Sequence, residues 1–494
     1  MKSIKIKMLA IIGILLFSIT GCQNAQETVT NQADQEEVIT TSEISSTWDE
    51  NATQITLNET SININGTGAS KSDGVITISA AGTYVISGIL EDGQIQIDAD
   101  EEDSVQIVLN GVDITCSDSA VIDAKEAKEV ILTVATGTEN ILTDADTYVY
   151  EDETKTNLDA AVFAKTKLYI NGSGMLTVNG NYNHAMVSKD AMYIDDATIL
   201  LTSVEDGINA KDAFTITSGI LTITAGDDGI HTDAALTVNG GTITINESEE
   251  GLEGSSIEIN NGEIAITAND DGMNAANSDE TEVSHNITIN GGTILVDAMG
   301  DGLDANGSIV MTGGEVTVLG PVSDGDGSLD YDGTFTISGG TLIAAGSSGM
   351  VQGVDDSSTQ NALLVIFDQK KEAGTAFEIV SADGTSIVSI TPEKTYQSVL
   401  VSTSALAQNT EYTVKYNGEE LTSVILNQAM TSISEDGSEV QLKTMGEFGG
   451  PGGGMPGGEP PVDGEMPEGG ARRGEAGGGK PAEMPQNIDT AQDN

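Results

Sequence analysis

Asp206-Gly-Ile-Asn-Ala, Asp228-Gly-Ile-His-Thr, Glu250-Gly-Leu-Glu-Gly, Asp271-Gly-Met-Asn-Ala and Asp301-Gly-Leu-Asp-Ala are five versions of one phrase. The acidic anchors follow one another at steps of 22, 22, 21 and 30 residues. The long step contains a polar insert, Asn277-Ser-Asp-Glu-Thr-Glu-Val-Ser-His-Asn286. A fixed period of this length marks a stacked repeat, in which each position forms a column along the stack. Within one unit three short runs alternate apolar and small polar residues: Gly229-Ile-His-Thr232, Leu236-Thr-Val-Asn239 and Thr242-Ile-Thr-Ile245. The next unit gives Gly251-Leu252, Ile257-Glu-Ile-Asn260 and Glu263-Ile-Ala-Ile266. Period-two alternation predicts strands, and turn residues every five or six positions exclude ordinary helices.

Three strands in about 22 residues fill one coil of a parallel β-helix, whereas a propeller blade needs about 40 residues. Asn239-Gly-Gly, Asn260-Asn-Gly and Asn290-Gly-Gly share one column, at the turn between the second and third strands. The expected fold is all-β: a single-stranded parallel β-helix with coils of about 22 residues, since isolated coils cannot bury their apolar face. Weaker coils extend it upstream, which sets the core at about residues 100–355. The expected domains are a β-helix over 51–360 with an N-terminal β cap, and a small C-terminal β cap over 361–430. Residues 431–494 are expected to be a disordered tail, its Gly, Pro, Met and Glu setting in after about residue 444.

The N-terminus predicts export. Lys2, Lys5 and Lys7 precede the apolar run from Met8 to Ile19, the pattern of a signal peptide over 1–21. Ile19-Thr-Gly-Cys22 resembles the bacterial lipobox, which implies diacylation of Cys22 and a membrane contact through that anchor alone. A plain secretory signal is the alternative. Polar residues 22–50 read as a flexible tether. The expected location is therefore the outer face of the bacterial cell membrane. Cys116 is the other cysteine, expected in the core.

The chain carries 78 acidic and 19 basic residues, a formal net charge of −59. Such a surface repels nucleic acid and attracts divalent cations. The stack also aligns its acids. Asp206, Asp228, Glu250, Asp271 and Asp301 form one column, and Glu205, Asp227, Glu249 and Asp270 a second. A third holds Asn209, His231, Glu253, Asn274, Asp304 and Asp330. Exposed carboxylates about 4.8 Å apart repel by about 0.9 kcal/mol in bulk water, and more near a protein surface. Ca²⁺ takes carboxylate, amide and carbonyl oxygens, a mixture that adjacent coils offer. The candidate Ca²⁺ ligands are Asp206, Asp227, Asp228, Glu249, Glu250, Asp270, Asp271, Asp301 and Asp304. The competing reading makes these acids turn residues that keep the protein soluble.

No catalytic residue stands out. The histidines, His184, His231 and His285, lie at no nucleophile motif, and both arginines, Arg472 and Arg473, lie in the tail. Lys189 and Lys211 are the few cations on the stack; a lysine-based lyase is the minority alternative, and pairing of Lys189 with Asp190 or Asp212 the plainer one. Tyr169, Tyr182, Tyr193 and Tyr331 do not recur as a column, and the sole tryptophan, Trp48, sits at the edge of the tether.

Asn110-Gly-Val-Asp-Ile-Thr, Thr138-Glu-Asn-Ile-Leu-Thr, Leu168 through His184, Ser188-Lys-Asp190, Tyr396-Gln-Ser-Val-Leu-Val-Ser402 and Glu411-Tyr-Thr-Val414 together resemble a family of bacterial extracellular carbohydrate-binding β-helix proteins. The resemblance covers about residues 50–425. It implies a right-handed helix like that of pectate lyases, bound calcium, and binding of cellulose or acidic polysaccharides such as polygalacturonate, without catalysis. His184, Lys189 and Asp190 are the candidate carbohydrate contacts. Cellulose is usually gripped by flat aromatic surfaces, and the tyrosines available here do not recur as a column, so a calcium-bridged acidic polysaccharide is favoured over bare cellulose. A structural or adhesive rod at the envelope is the third alternative.

Overall fold

The computed structural model describes residues 44–150, 157–276 and 284–442. The signal peptide, Cys22, the tether up to residue 43, residues 277–283 of the insert and the tail from residue 443 lie outside them. Among the described residues there is no helix. A 35-stranded sheet, mostly parallel, accompanies a 4-stranded antiparallel one.

Alternation produces the strands and stacking produces the sheet. In Thr242–Glu247 the side chains of Ile243 and Ile245 are buried while Thr242 and Thr244 are half-buried on the other face. One unit comprises Ile208–Ala210, Ala213–Ile216 and Ile220–Thr224. Each strand pairs in parallel with its counterpart one unit later: Ile208 with Ile230, Phe214 with Leu236, Leu221 with Ile243. The first two runs merge in Ile230–Val238 and Leu252–Ile259, where the register shifts between Thr232 and Ala235. This three-strand period is compatible with a parallel β-helix.

The core is a set of aliphatic columns. Leu176, Ile199, Leu221, Ile243, Ile264, Ile294, Val316 and Leu342 pair in sequence, and all are buried. Full burial of one such side chain is worth about 1.5–3 kcal/mol. The turn column is equally regular. Gly219, Gly241, Gly262, Gly292, Gly314 and Gly340 all have positive φ, from 85° to 124°. The side-chain amide of Asn260 donates to Asn239 and that of Asn290 to Asn260, each at 2.9 Å, which ties successive turns together.

Parallel stacking begins well before residue 100. Thr53–Glu59 pairs in parallel with Gly82–Leu90, and Val75–Ile78 with Gln94–Asp98. These segments carry no acidic phrase to betray their period. Antiparallel pairs, Thr53–Glu59 with Ser61–Asn65 and Ala69–Ser72 with Val75–Ile78, lie at this end. The last residues of the expected tether lie on the sheet, where the carbonyls of Ile44 and Ser45 accept from Asn171 and Gln106.

At the other end Thr341–Gly346 runs antiparallel to Tyr396–Thr403, which in turn pairs with Ala362–Lys371. Residues 431–434, expected in the tail, belong to the strand Met430–Ser434, parallel to Ala362–Lys371. Its polar sequence conceals a strand whose first four residues are buried. Cys116 is buried, and burial pushes its thiol up to about 11.

Candidate cation and glycan site

The acidic anchor has a structural task that explains its repetition. The backbone N–H of Asp228 donates to Asp206 Oδ1 at 3.3 Å, that of Asp301 to Asp271 Oδ1 at 2.6 Å, and that of Gly327 to Asp301 Oδ1 at 2.6 Å. Each carboxylate thus caps the turn of the following coil. His184 fills the same position one unit before Asp206 and accepts the Asp206 N–H at Nδ1, 3.1 Å away. The glycine after the anchor is required by a close approach: a Cβ on Gly229 would lie 2.6 Å from the carbonyl oxygen of Gly251, and one on Gly251 2.4 Å from that of Gly272.

The anchors are tucked in. Asp206 is 4% exposed and Asp228 8%, so the ladder expected on an open surface is buried at these coils and half-buried at Glu250, Asp271 and Asp301. The second column stays outside, with Asp227, Glu249 and Asp270 exposed.

One carboxylate oxygen of Asp206, Asp228 and Glu250 faces the third column. Backbone register places Asn209, His231, Glu253, Asn274, Asp304 and Asp330 side by side on successive strands. Asn209 donates to Asp206 Oδ2 at 2.7 Å and Asn274 to Glu250 Oε2 at 3.0 Å. His231 Nδ1 lies 3.1 Å from Asp228 Oδ2 and also contacts Glu253 Oε2. Further along the column Asp304 is, like Glu253, itself an acid. Oxygens of Asp271, Asp301 and Asp304 lie within 4.8 Å of one another.

The electrostatics follow. Burial, together with the surrounding acids, pushes Asp271 up to about 6 and Asp301 and Asp304 up to about 7. Burial also lifts Glu250, aided by Glu253, to about 8. At Asp206 burial works upward, but His184 and Asn209 prevail and hold it below its ordinary value. At His231 burial opposes the charge, yet Asp228 and Glu253 outweigh it and lift the ring to about 11.

Of the nine expected ligands, two groups converge: Asp206, Asp227 and Asp228, and Asp271, Asp301 and Asp304. Glu249, Glu250 and Asp270 join no such group among the described residues. A third group, Asp228 with His231 and Glu253, adds two residues absent from the expected set. Their shared column was readable in the sequence; only their approach to the anchor was not.

Two of the expected carbohydrate contacts share a neighbour: the backbone N–H of His184 donates to the Asp159 carbonyl at 3.0 Å, and Lys189 pairs with the Asp159 carboxylate. His184 begins the strand His184–Ser188, and Lys189 and Asp190 follow its far end. His184 Nδ1 lies 3.2 Å from Asp206 Oδ2. Lys189 pairs with Asp159 at 3.6 Å and lies 5.7 Å from the centre of the Phe163 ring, partners the sequence did not suggest. Asp190 accepts the Ala191 N–H at 2.7 Å. Contrary to expectation, two tyrosines do align: Tyr169 and Tyr193 pair in register and stack with ring centres 4.8 Å apart.

The family model described as carbohydrate-binding domain-containing protein matches residues 72–236 and 227–424, more than half of the chain. A carbohydrate-binding domain-containing protein of Acetivibrio thermocellus is 36% identical over 155 residues, 31% of this chain. The match spans 54% of that protein, so the chain covers about half the length of the curated relative. A solved structure, titled as the polysaccharide lyase-like protein from C. thermocellum in a gadolinium derivative, is 28% identical. It aligns over 58% of this chain and 97% of its own, with a TM-score of 0.38.

Proposed function

Because the chain belongs to the family of carbohydrate-binding domain-containing proteins, we propose that it is a non-catalytic glycan-binding protein that holds an acidic polysaccharide through calcium. The observation that carries this reading is the group Asp271, Asp301 and Asp304. Asn209 sits against Asp206, His231 against Asp228 and Asn274 against Glu250, whereas Asp271, Asp301 and Asp304 meet as three half-buried carboxylates around a spot that suits a hard cation with oxygen ligands. The chemistry of the donor set fits Ca²⁺, which would offset most of the group's negative charge and offer its remaining coordination positions to a uronate carboxylate. A chain of formal net charge −59 repels a polyanion, and a bridging cation relieves that repulsion.

We read the sheet as a right-handed, single-stranded parallel β-helix with a cap at each end, and the chain as an exported lipoprotein tethered at Cys22. The helix reading rests on the 22-residue period, its hand on the family resemblance alone, and the anchor on the lipobox-like Ile19-Thr-Gly-Cys22. Polygalacturonate beads should deplete the protein from solution in Ca²⁺ and not in chelator, with no rise in unsaturated-uronide absorbance. Depletion that chelator leaves intact would remove calcium from the account. Accumulating unsaturated product that is lost in Lys189→Ala would make the protein a lyase.

A further inference from the structure

We propose that Asp228, His231 and Glu253 form a second, chemically different metal site, selective for a transition cation of the zinc class. One ligand atom from each lies within 4.8 Å of the others. The three come from the turn before the strand Ile230–Val238, from that strand, and from its parallel neighbour Leu252–Ile259, so the sheet itself fixes their spacing. The site goes beyond the glycan-binding reading and does not depend on it.

Two features separate this site from the all-oxygen group Asp271, Asp301 and Asp304. The first is the nitrogen ligand: Ca²⁺ is a hard cation that takes oxygen, whereas imidazole suits zinc, copper and nickel. The second is the far side of the ring. His231 Nε2 lies 3.3 Å from Asp233 Oδ1. A carboxylate on the distal nitrogen fixes the tautomer and leaves the other lone pair for a metal, the usual support of a metal-bound histidine. With Nε2–H given to Asp233, Nδ1 faces Asp228 Oδ2 and Glu253 Oε2, and a metal would take the place of the proton that otherwise bridges the ring to these two acids. Side-chain exposures of 26% for His231, 11% for Asp228 and 23% for Glu253 leave one side open to solvent. Three protein ligands with one open position match an exchangeable tetrahedral zinc site.

The test uses Co²⁺ and Zn²⁺ alone on the purified full chain. One equivalent of Co²⁺ should give the intense visible band of a four-coordinate ion, Zn²⁺ should abolish it, and excess Ca²⁺ should not. His231→Asn removes the nitrogen yet keeps a residue the fold already accepts in this column at Asn209 and Asn274. It should lose the band, as should Glu253→Gln, while Asp304→Asn keeps it. Asp233→Asn should weaken Zn²⁺ by about 10- to 100-fold through the ring alone. A wild-type chain without the band, a band that survives in His231→Asn, or displacement by Ca²⁺ would each overturn the proposal.

Discussion

Asp301 accepts the Gly327 N–H with one oxygen and has Asp271 and Asp304 for company. That double position predicts an inverted pH dependence. Asp271, Asp301 and Asp304 titrate at about 6, 7 and 7 in the fold against an ordinary 3.8. The groups that face them are acidic too: Asp270, Asp326, Asp330, Asp332 and Glu250. A carboxyl whose folded pKa is raised holds its proton longer in the fold than in the unfolded chain, so its stabilisation is present at low pH and lost as pH rises through the folded value. In chelator the melting temperature should therefore fall between pH 5 and 8. Ca²⁺ should restore it by mass action, since the ion binds the folded state. Asp301→Asn with Asp304→Asn should flatten both responses, and a wild-type melting temperature indifferent to pH and to Ca²⁺ would refute them. The columns were legible because a repeat aligns equivalent residues. Burial of Asp206 and Asp228 was not, because their carboxylates meet partners, the Asp228 N–H and the His231 ring, that no single phrase displays.

At the scale of the strand, the two faces of Thr242–Glu247 should respond differently. Ile243 stands between Leu221 and Ile264 in a closed aliphatic column. Ile243→Ala should cost about 2–5 kcal/mol, the transfer loss plus the cavity left behind. Thr244→Ala, on the outward face, should stay within about 0.5 kcal/mol. Denaturant titration compares them, and equal midpoint shifts would deny the inward column. In the turn, Gly292 has φ of 88°, and a Cβ there would lie 2.9 Å from the Gly262 carbonyl oxygen. Gly292→Ala should lower the melting temperature, whereas Gly384→Ala, also at positive φ but with open space around it, should lower it less. The three runs of each repeat were readable from alternation. The strands before residue 100 and Met430–Ser434 were not, since their pairing partners lie in segments of different length and polarity.

For the whole molecule, charge and anchorage set the behaviour. Cys22→Ala should release the protein from the membrane fraction or leave its precursor uncleaved; a variant processed and attached like the parent would exclude the lipid anchor. The central claim is that calcium at Asp271, Asp301 and Asp304 joins an acidic glycan to an acidic protein. The direct measurement is the equilibrium affinity for polygalacturonate as a function of Ca²⁺ concentration, for the wild type and for Asp301→Asn with Asp304→Asn. The account predicts wild-type affinity that rises with Ca²⁺ and saturates, and a double variant that stays weak at every Ca²⁺ concentration despite carrying two fewer negative charges. Equal, calcium-dependent affinity in both proteins would contradict it.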